Sequence, residues 1–110
     1  MEIKEIQKII SDLAKEKGWG DTPEEVNFTE KIALLHGEVS EALEAYRKNN
    51  LSGKDGVAEE LADIIARVLH IGNIYKLDIE KELLKKLEEN KGRDWNNDQL
   101  YIDRDKRNSK

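Results

Sequence analysis

The stretch GEVSEALEAY, at residues 37–46, decides the fold together with ELADIIARV, at residues 60–68. Each stretch carries two acidic residues three positions apart, which are Glu38 and Glu41 in the first and Glu60 and Asp63 in the second. Residues with this spacing lie on one face of an α-helix. Two such helices side by side bring four carboxylates together, and these repel one another unless a cation lies between them. The sequence therefore predicts a cation site between two helices.

Apolar residues recur at helical spacing over most of the chain, and no strand pattern precedes residue 99, which favours an all-α fold. Glycines, the single proline, capping residues and polar loop residues mark where this periodicity is interrupted. They predict helices over about residues 2–17 and 27–48, a third that ends near residue 75 and a fourth that begins near residue 78. Ser52 or Asp55 is the expected N-cap of the third helix. Apolar residues of the second helix, including Val39, Leu43 and Tyr46, are expected to face the core.

Composition predicts a small core. The chain has 110 residues, of which 39% are charged and 37% hydrophobic, against about a quarter and nearly half in ordinary globular domains. We expect one helical domain over residues 1–95, followed by a polar tail over residues 96–110. Because a domain this short and polar buries little apolar surface, we also expect an oligomer that shares its core between subunits.

Net charge, cysteine content and the lack of long apolar runs disfavour several classes of protein. A net charge of −5 argues against general binding to nucleic-acid backbones. The absence of cysteine excludes disulfides, thiolate chemistry and cysteine-ligated zinc. The sequence has no apolar signal core and no run of membrane-spanning length, which predicts a cytoplasmic protein.

The ligand types indicate which cation would bind. Carboxylates without cysteine, and without histidine in ligand spacing, favour a hard cation such as Mg²⁺, with Mn²⁺ as a substitute. Mg²⁺ commonly binds through a few carboxylates together with substrate phosphates, so phosphate chemistry is indicated. A di-iron bundle needs Glu-x-x-His on two helices. Here the second residues of the pairs are Glu41 and Asp63, which makes that interpretation weak.

Simpler interpretations remain beside this one. The chain has 24 acidic residues, so pairs at this spacing also arise by chance, and a non-enzymatic helical module would carry them on a solvated face. Lys31 and Arg67 lie near the same margins and are either ion-pair partners or phosphate contacts. Trp19 either stacks on a base or simply packs, and the same holds for Trp95. His36 and His70 are more often solvated or hydrogen-bonded than ligating, as single histidines on helices.

Three segments resemble the MazG-like nucleoside triphosphate pyrophosphohydrolases, which belong to the all-α nucleotide pyrophosphatase superfamily. The segments are WGDTPEEVNFTEKIALLHGEVSEALEAYRKN (19–49), EELADIIARVLHIG (59–72) and DIEKELLKKLEENKGRDW (78–95). The resemblance covers about residues 19 to 95, and its diagnostic part is the E-x-x-E then E-x-x-D pattern. It implies an all-α bundle of four to five helices that assembles as a dimer or tetramer.

The resemblance also implies an activity, which is Mg²⁺-dependent hydrolysis between the α and β phosphates of a (deoxy)nucleoside triphosphate in nucleotide-pool house-cleaning. The metal ligands would be the acids that match the family's motif, with Glu38 or Glu41 also as the catalytic base: Glu38, Glu41, Glu60 and Asp63. The nearest alternative in the superfamily is a phosphoribosyl-ATP pyrophosphohydrolase.

Four residues are expected to contact the substrate, three by the resemblance and Trp19 because an aromatic face can stack on a base. Asn90 and Arg93 match an Asn and an Arg that the family carries after its last helix. Lys31 stands where basic residues recur, and Trp19 is the candidate for stacking on the base. Two departures are notable, because DWNNDQ (94–99) replaces a basic stretch that often follows the Arg, and His70 replaces a further acid that relatives often carry.

Overall fold

The computed structural model describes residues 1–92. They form four helices, α1 (Ile3–Lys17), α2 (Phe28–Arg47), α3 (Val57–Ile74) and α4 (Ile79–Lys91), and this range contains no strand. The prediction of an all-α fold is confirmed, and the predicted helix ends are met to within about a residue. No helix among these residues is long and apolar enough to cross a membrane.

The chain divides into two compact units, residues 1–80 and residues 81–110. The first unit contains α1, α2, α3 and the beginning of α4. The second is described to residue 92 and contains the rest of α4, where Lys86 Nζ lies 3.4 Å from Glu89 Oε2. The predicted boundary between residues 95 and 96, and the polar tail beyond it, lie outside the described residues and stay predictions.

Helices α2 and α3 run antiparallel along each other. At one end of the pair, the rings of Phe28 and Tyr75 meet edge to face with centroids 5.4 Å apart. Further along, Arg67 of α3 contacts Glu38 of α2. Since residue numbers fall on one helix as they rise on the other, the acidic stretch of α2 lies alongside the acidic stretch of α3.

The connection between these helices is built around Asn50. Its Oδ1 accepts from the Gly53 backbone N–H at 2.9 Å, and its Nδ2 donates to the Lys54 carbonyl at 2.9 Å. The N-cap of α3 is Gly56, which offers no side chain, so the expected cap by Ser52 or Asp55 is wrong. Asp55 instead has a positive φ of 58° within the loop, a conformation that Asp tolerates better than most residues.

Helix α1 packs on α3 through a reciprocal amide pair. Gln7 Nε2 donates to Asn73 Oδ1 at 3.1 Å and to the Leu77 carbonyl at 3.2 Å, while Asn73 Nδ2 donates to the Gln7 carbonyl at 2.8 Å. Gly72 lies next to this pair, and a Cβ atom there would come within 2.6 Å of Ile79 Cγ1. Close approach of the chain at this point therefore requires glycine.

The interior is small. Among the described residues, four apolar side chains are buried: Ala14, Ala45, Leu69 and Ile74. Five larger ones on α2 and α3 are 50% to 65% exposed, and we call them the α2–α3 apolar face: Val39, Leu43, Tyr46, Leu61 and Ile65. The expectation that Val39, Leu43 and Tyr46 face the core is therefore wrong within this chain. At about 100° per residue, the half-buried or buried Glu38, Ala42 and Ala45 lie to one side of the apolar arc of α2, so the edge of that arc, and not its centre, faces the interior.

Candidate active site

Three of the four predicted ligands meet where α2 and α3 are side by side. Each of Glu38, Glu60 and Asp63 offers a carboxylate oxygen, and these oxygens all lie within 4.8 Å of one another. Glu60 is buried, Glu38 half-buried and Asp63 exposed. The acidic trio therefore extends from the interior to solvent, as expected of a site that a cation enters from outside.

Glu60 is the unusual member of the trio. It is 8% exposed, and its buried Oε2 has no hydrogen-bond partner. Burial, reinforced by the neighbouring carboxyl groups of Glu38 and Glu41, raises the pKa of Glu60 from 4.5 to about 7. A buried oxygen without a partner is costly in a folded protein. A hard divalent cation would satisfy this oxygen, and an all-carboxylate donor set suits Mg²⁺ or Mn²⁺.

Glu41 lies at the edge of this arrangement. It is exposed and is not one of the three residues whose oxygens cluster within 4.8 Å. It is nevertheless close enough to Glu60 for its carboxylate to raise the pKa of that residue. The sequence thus predicted the neighbourhood of all four acids, and the structure separates one compact trio from one flanking carboxylate.

Arg67 holds one member of the trio. Its Nε and Nη2 both lie 3.0 Å from Oε1 of Glu38. The Glu38 side chain is 13% exposed and that of Arg67 39%, so solvent screens this pair only in part. Of the two roles considered for Arg67, ion pairing is the one that the structure contains.

An open cleft of about 600 Å³ adjoins the trio. Glu38, Asp63 and Arg67 line it, and the two predicted substrate contacts Lys31 and Trp19 line it too. Ile10, Leu13 and Ala66 add apolar surface. One cavity therefore offers carboxylates, two cations and an aromatic ring, which together suit a ligand that is anionic at one end and planar at the other.

Trp19 is held at this cleft by its neighbours in sequence and by His70. Gly18 and Gly20 flank it with φ of 70° and 87°, and a Cβ on Gly20 would come within 2.7 Å of Val26 Cγ1. His70 Nε2 donates to the Gly20 carbonyl at 2.8 Å. The ring of His70 meets that of Trp19 edge-on, with centroids 6.1 Å apart. The hydrogen-bonded role expected of His70 is confirmed, while no pattern in the sequence indicated a partner fifty residues away.

Two predicted substrate contacts remain, Asn90 and Arg93. Asn90 is half-buried near the end of α4, in the second unit. Arg93 and Trp95 lie outside the described residues. The roles assigned to Asn90 and Arg93 by resemblance stay predictions.

Comparison with known proteins gives a family. The model of the MazG nucleotide pyrophosphohydrolase domain matches residues 27–95, more than half of the chain. This range contains the acidic trio, Glu41, Lys31 and Arg67, whereas Trp19 precedes it. Comparisons with curated proteins and with solved structures gave no match. On the strength of the domain match, and in agreement with its helical fold and clustered acids, this chain belongs to the MazG nucleotide pyrophosphohydrolase family.

Proposed function

We propose that the protein hydrolyses a (deoxy)nucleoside triphosphate to the monophosphate and pyrophosphate in a Mg²⁺-dependent reaction. The observation that carries this proposal is Glu60, whose buried and unpartnered oxygen lies beside two further carboxylates. A structural role alone does not account for an acid in that position, since replacing it by an apolar residue would remove the cost of burying it.

In this proposal Glu38, Glu60 and Asp63 hold the divalent cation. When bound, Mg²⁺ neutralises charge on the phosphates and polarises their oxygens toward attack. The surroundings of Glu60 disfavour its ionised form, so a bound cation would stabilise its carboxylate. Asp63 is exposed and lies at the mouth of the trio, where it would meet the substrate first.

Glu41 is the candidate general base. It stands next to the trio without belonging to it, while Glu38 already accepts a hydrogen bond from Arg67. A carboxylate oxygen of Glu41 would take a proton from the attacking water. The water oxygen then bonds to the α phosphorus, the bond from that phosphorus to the bridging oxygen breaks, and pyrophosphate leaves with the bonding electrons.

Side chains that line the cleft would bind the phosphates and the base of the substrate. Lys31 and Arg67 line the cleft and would neutralise phosphate oxygens. By resemblance to the family, Asn90 and Arg93 are also proposed to contact the substrate. Trp19 is 47% exposed at the cleft, so part of its ring is available to a base. Stacking tolerates any base because every base has a π-face. That tolerance favours a house-cleaning role on several nucleotides, in the cytoplasm where such nucleotides occur.

We also propose that the α2–α3 apolar face binds a second copy of the chain. Exposed apolar patches of this kind mark interaction sites. Four buried apolar side chains in the described residues are few for an independent fold, so the partner is needed whenever the chain is folded. A second copy meets that requirement, because it is present wherever the chain is made. The proposal allows a dimer or a tetramer built from dimers.

The test is a substrate panel. The purified protein is incubated with Mg²⁺ and each standard or oxidised triphosphate, and with phosphoribosyl-ATP as the rival substrate. We expect equal amounts of monophosphate and pyrophosphate from at least one triphosphate. Release of inorganic phosphate instead, or turnover of phosphoribosyl-ATP alone, would contradict the proposal. Asp63→Asn serves as the inactive control.

A further inference from the structure

The positive charge of Arg67 lies where it opposes the binding of a metal ion to the acidic trio. The side chain follows Asp63 by one helical turn, and its guanidinium lies 3.0 Å from an oxygen of Glu38. Asp63 and Glu38, the two neighbours of Arg67 just named, both belong to the acidic trio. A fixed positive charge at this position repels any divalent cation that approaches the trio.

The hydrogen-bonding pattern leaves the guanidinium partly uncommitted. Nε donates a hydrogen bond to Oε1 of Glu38, and Nη2 lies 3.0 Å from the same oxygen. The guanidinium has further N–H donors besides these two, and it lines the open cleft with Lys31. Arg67 is therefore placed to contact a second anion in that cleft.

We propose that Arg67 is an exchangeable counter-ion, which competes with divalent cations for Glu38 and moves its hydrogen bonds to the substrate's phosphates when a metal–phosphate complex binds. The cation then takes over Glu38, and the phosphates take over Arg67. The cation frees Arg67 to bind phosphate, and the phosphate neutralises the arginine charge that repels the cation. Metal and polyphosphate therefore bind cooperatively, and each raises the affinity of the other by the same factor. The phosphate half of this proposal rests on the proposed triphosphate hydrolysis, and the metal half rests only on the proposed metal site.

The competition predicts opposite effects on the two ligands. In Arg67→Gln, which loses the charge, Mn²⁺ alone should bind roughly threefold to tenfold tighter, because an ion pair of this exposure no longer opposes it. Inorganic tripolyphosphate, offered with saturating Mn²⁺, should bind at least about tenfold more weakly, because a charged hydrogen-bond donor is lost. A purely structural role for Arg67 would predict weaker Mn²⁺ binding, through disorder of Glu38.

The experiment measures both affinities by titration calorimetry, with free Mn²⁺ followed in parallel by electron paramagnetic resonance. Arg47→Gln is the control, since it also removes one arginine charge from α2 or α3, here from an exposed ion pair with Glu44 at 3.8 Å that does not line the cleft. Arg67→Lys keeps the charge, so its Mn²⁺ affinity should stay close to that of the wild type. Circular dichroism melting verifies that each variant folds.

Weaker or unchanged Mn²⁺ binding by Arg67→Gln would overturn the proposal, and so would unchanged affinity for tripolyphosphate or the absence of Mn²⁺ binding by the wild type. The opposite shifts, seen in a protein that hydrolyses no nucleotide, would support the counter-ion and contradict the proposed function. Tripolyphosphate is used because it carries no base, so that base preference does not affect the result.

Discussion

Glu38 of α2 and Glu60 of α3 present carboxylate oxygens within 4.8 Å of each other from neighbouring helices. Two carboxylates at this distance repel when both are ionised. One of them is compensated by Arg67, and the other has a buried oxygen without a partner. The protein therefore keeps a local destabilising feature at its candidate metal site.

The first prediction concerns stability against pH in the presence of a chelator. The pKa of Glu60 is about 7 in the folded protein and 4.5 for an ordinary glutamate. Between these values the unfolded chain loses this proton while the folded chain keeps it, so the group's contribution to stability falls as pH rises from about 4.5 to 7. Glu60→Gln should remove this fall and be more stable than the wild type at pH 8.

Urea unfolding at several pH values measures the effect, and the exposed Glu24→Gln is the control. If the free energy of unfolding changes with pH in the same way for wild type and Glu60→Gln, the carboxyl group of Glu60 is not the origin of the dependence.

The second prediction concerns divalent cations. Mg²⁺ or Mn²⁺ should raise the melting temperature, because a ligand of the folded state stabilises by about 2.7 kcal/mol at a hundred times its Kd. Asp63→Asn should lose most of this shift, since it removes one charged ligand from the trio. Differential scanning calorimetry with and without metal gives the answer. A helical module without a metal site would melt at the same temperature in both conditions.

The third prediction separates catalysis from metal binding. Glu41→Gln should lower kcat by about 10² to 10⁴, the range expected on loss of a general base, and leave helicity and metal affinity nearly unchanged. Glu44→Gln, at an exposed position one turn further along α2, is the matched control. Steady-state kinetics with pyrophosphate detection measure both variants. Full activity of Glu41→Gln would remove Glu41 from the site.

The fourth prediction concerns Trp19 and the group that positions it. His70→Ala leaves the Gly20 carbonyl without its partner, so we expect a loss of roughly 1–3 kcal/mol in stability and a raised KM with little change in kcat. Trp19→Ala should raise KM similarly without the same loss of stability. Quenching of Trp19 fluorescence by nucleotide, measured in a Trp95→Phe background, tests stacking directly. Unquenched fluorescence at saturating nucleotide would contradict it.

The fifth prediction concerns assembly. Leu43 and Ile65 belong to the α2–α3 apolar face and are 50% and 59% exposed. Leu43→Glu with Ile65→Glu would bury charges in the proposed interface, so sedimentation velocity should show monomers at concentrations where the wild type associates. Leu77→Glu, at an apolar position of similar exposure off that face, is the control. A monomeric wild type would remove the interface.

The helices and the pairing of the acids could be predicted from local patterns in the sequence, because helix periodicity and loop-forming residues act over a few positions. Contacts between distant segments are different. The exposure of Val39, Leu43 and Tyr46 depends on which side of α2 faces the interior, which spacing within one helix does not reveal. The hydrogen bond from His70 to Gly20 likewise joins residues that no local pattern relates, and the cap at Gly56 follows from a loop fold that Asn50 organises.

That loop has a consequence for related sequences. Val57 N–H donates to the Asn50 carbonyl at 3.0 Å and Ala58 N–H to the Leu51 carbonyl at 2.9 Å, so the first turn of α3 is fastened to the end of α2. One inserted residue downstream of these bonds, between Ala58 and Glu60, would rotate everything after it by about 100° around the helix axis. Glu60 and Asp63 would then turn away from Glu38. The number of residues between the first turn of α3 and the acids Glu60 and Asp63 is thus constrained as strictly as the acids themselves, and natural variation in length should be confined to the tip of the turn.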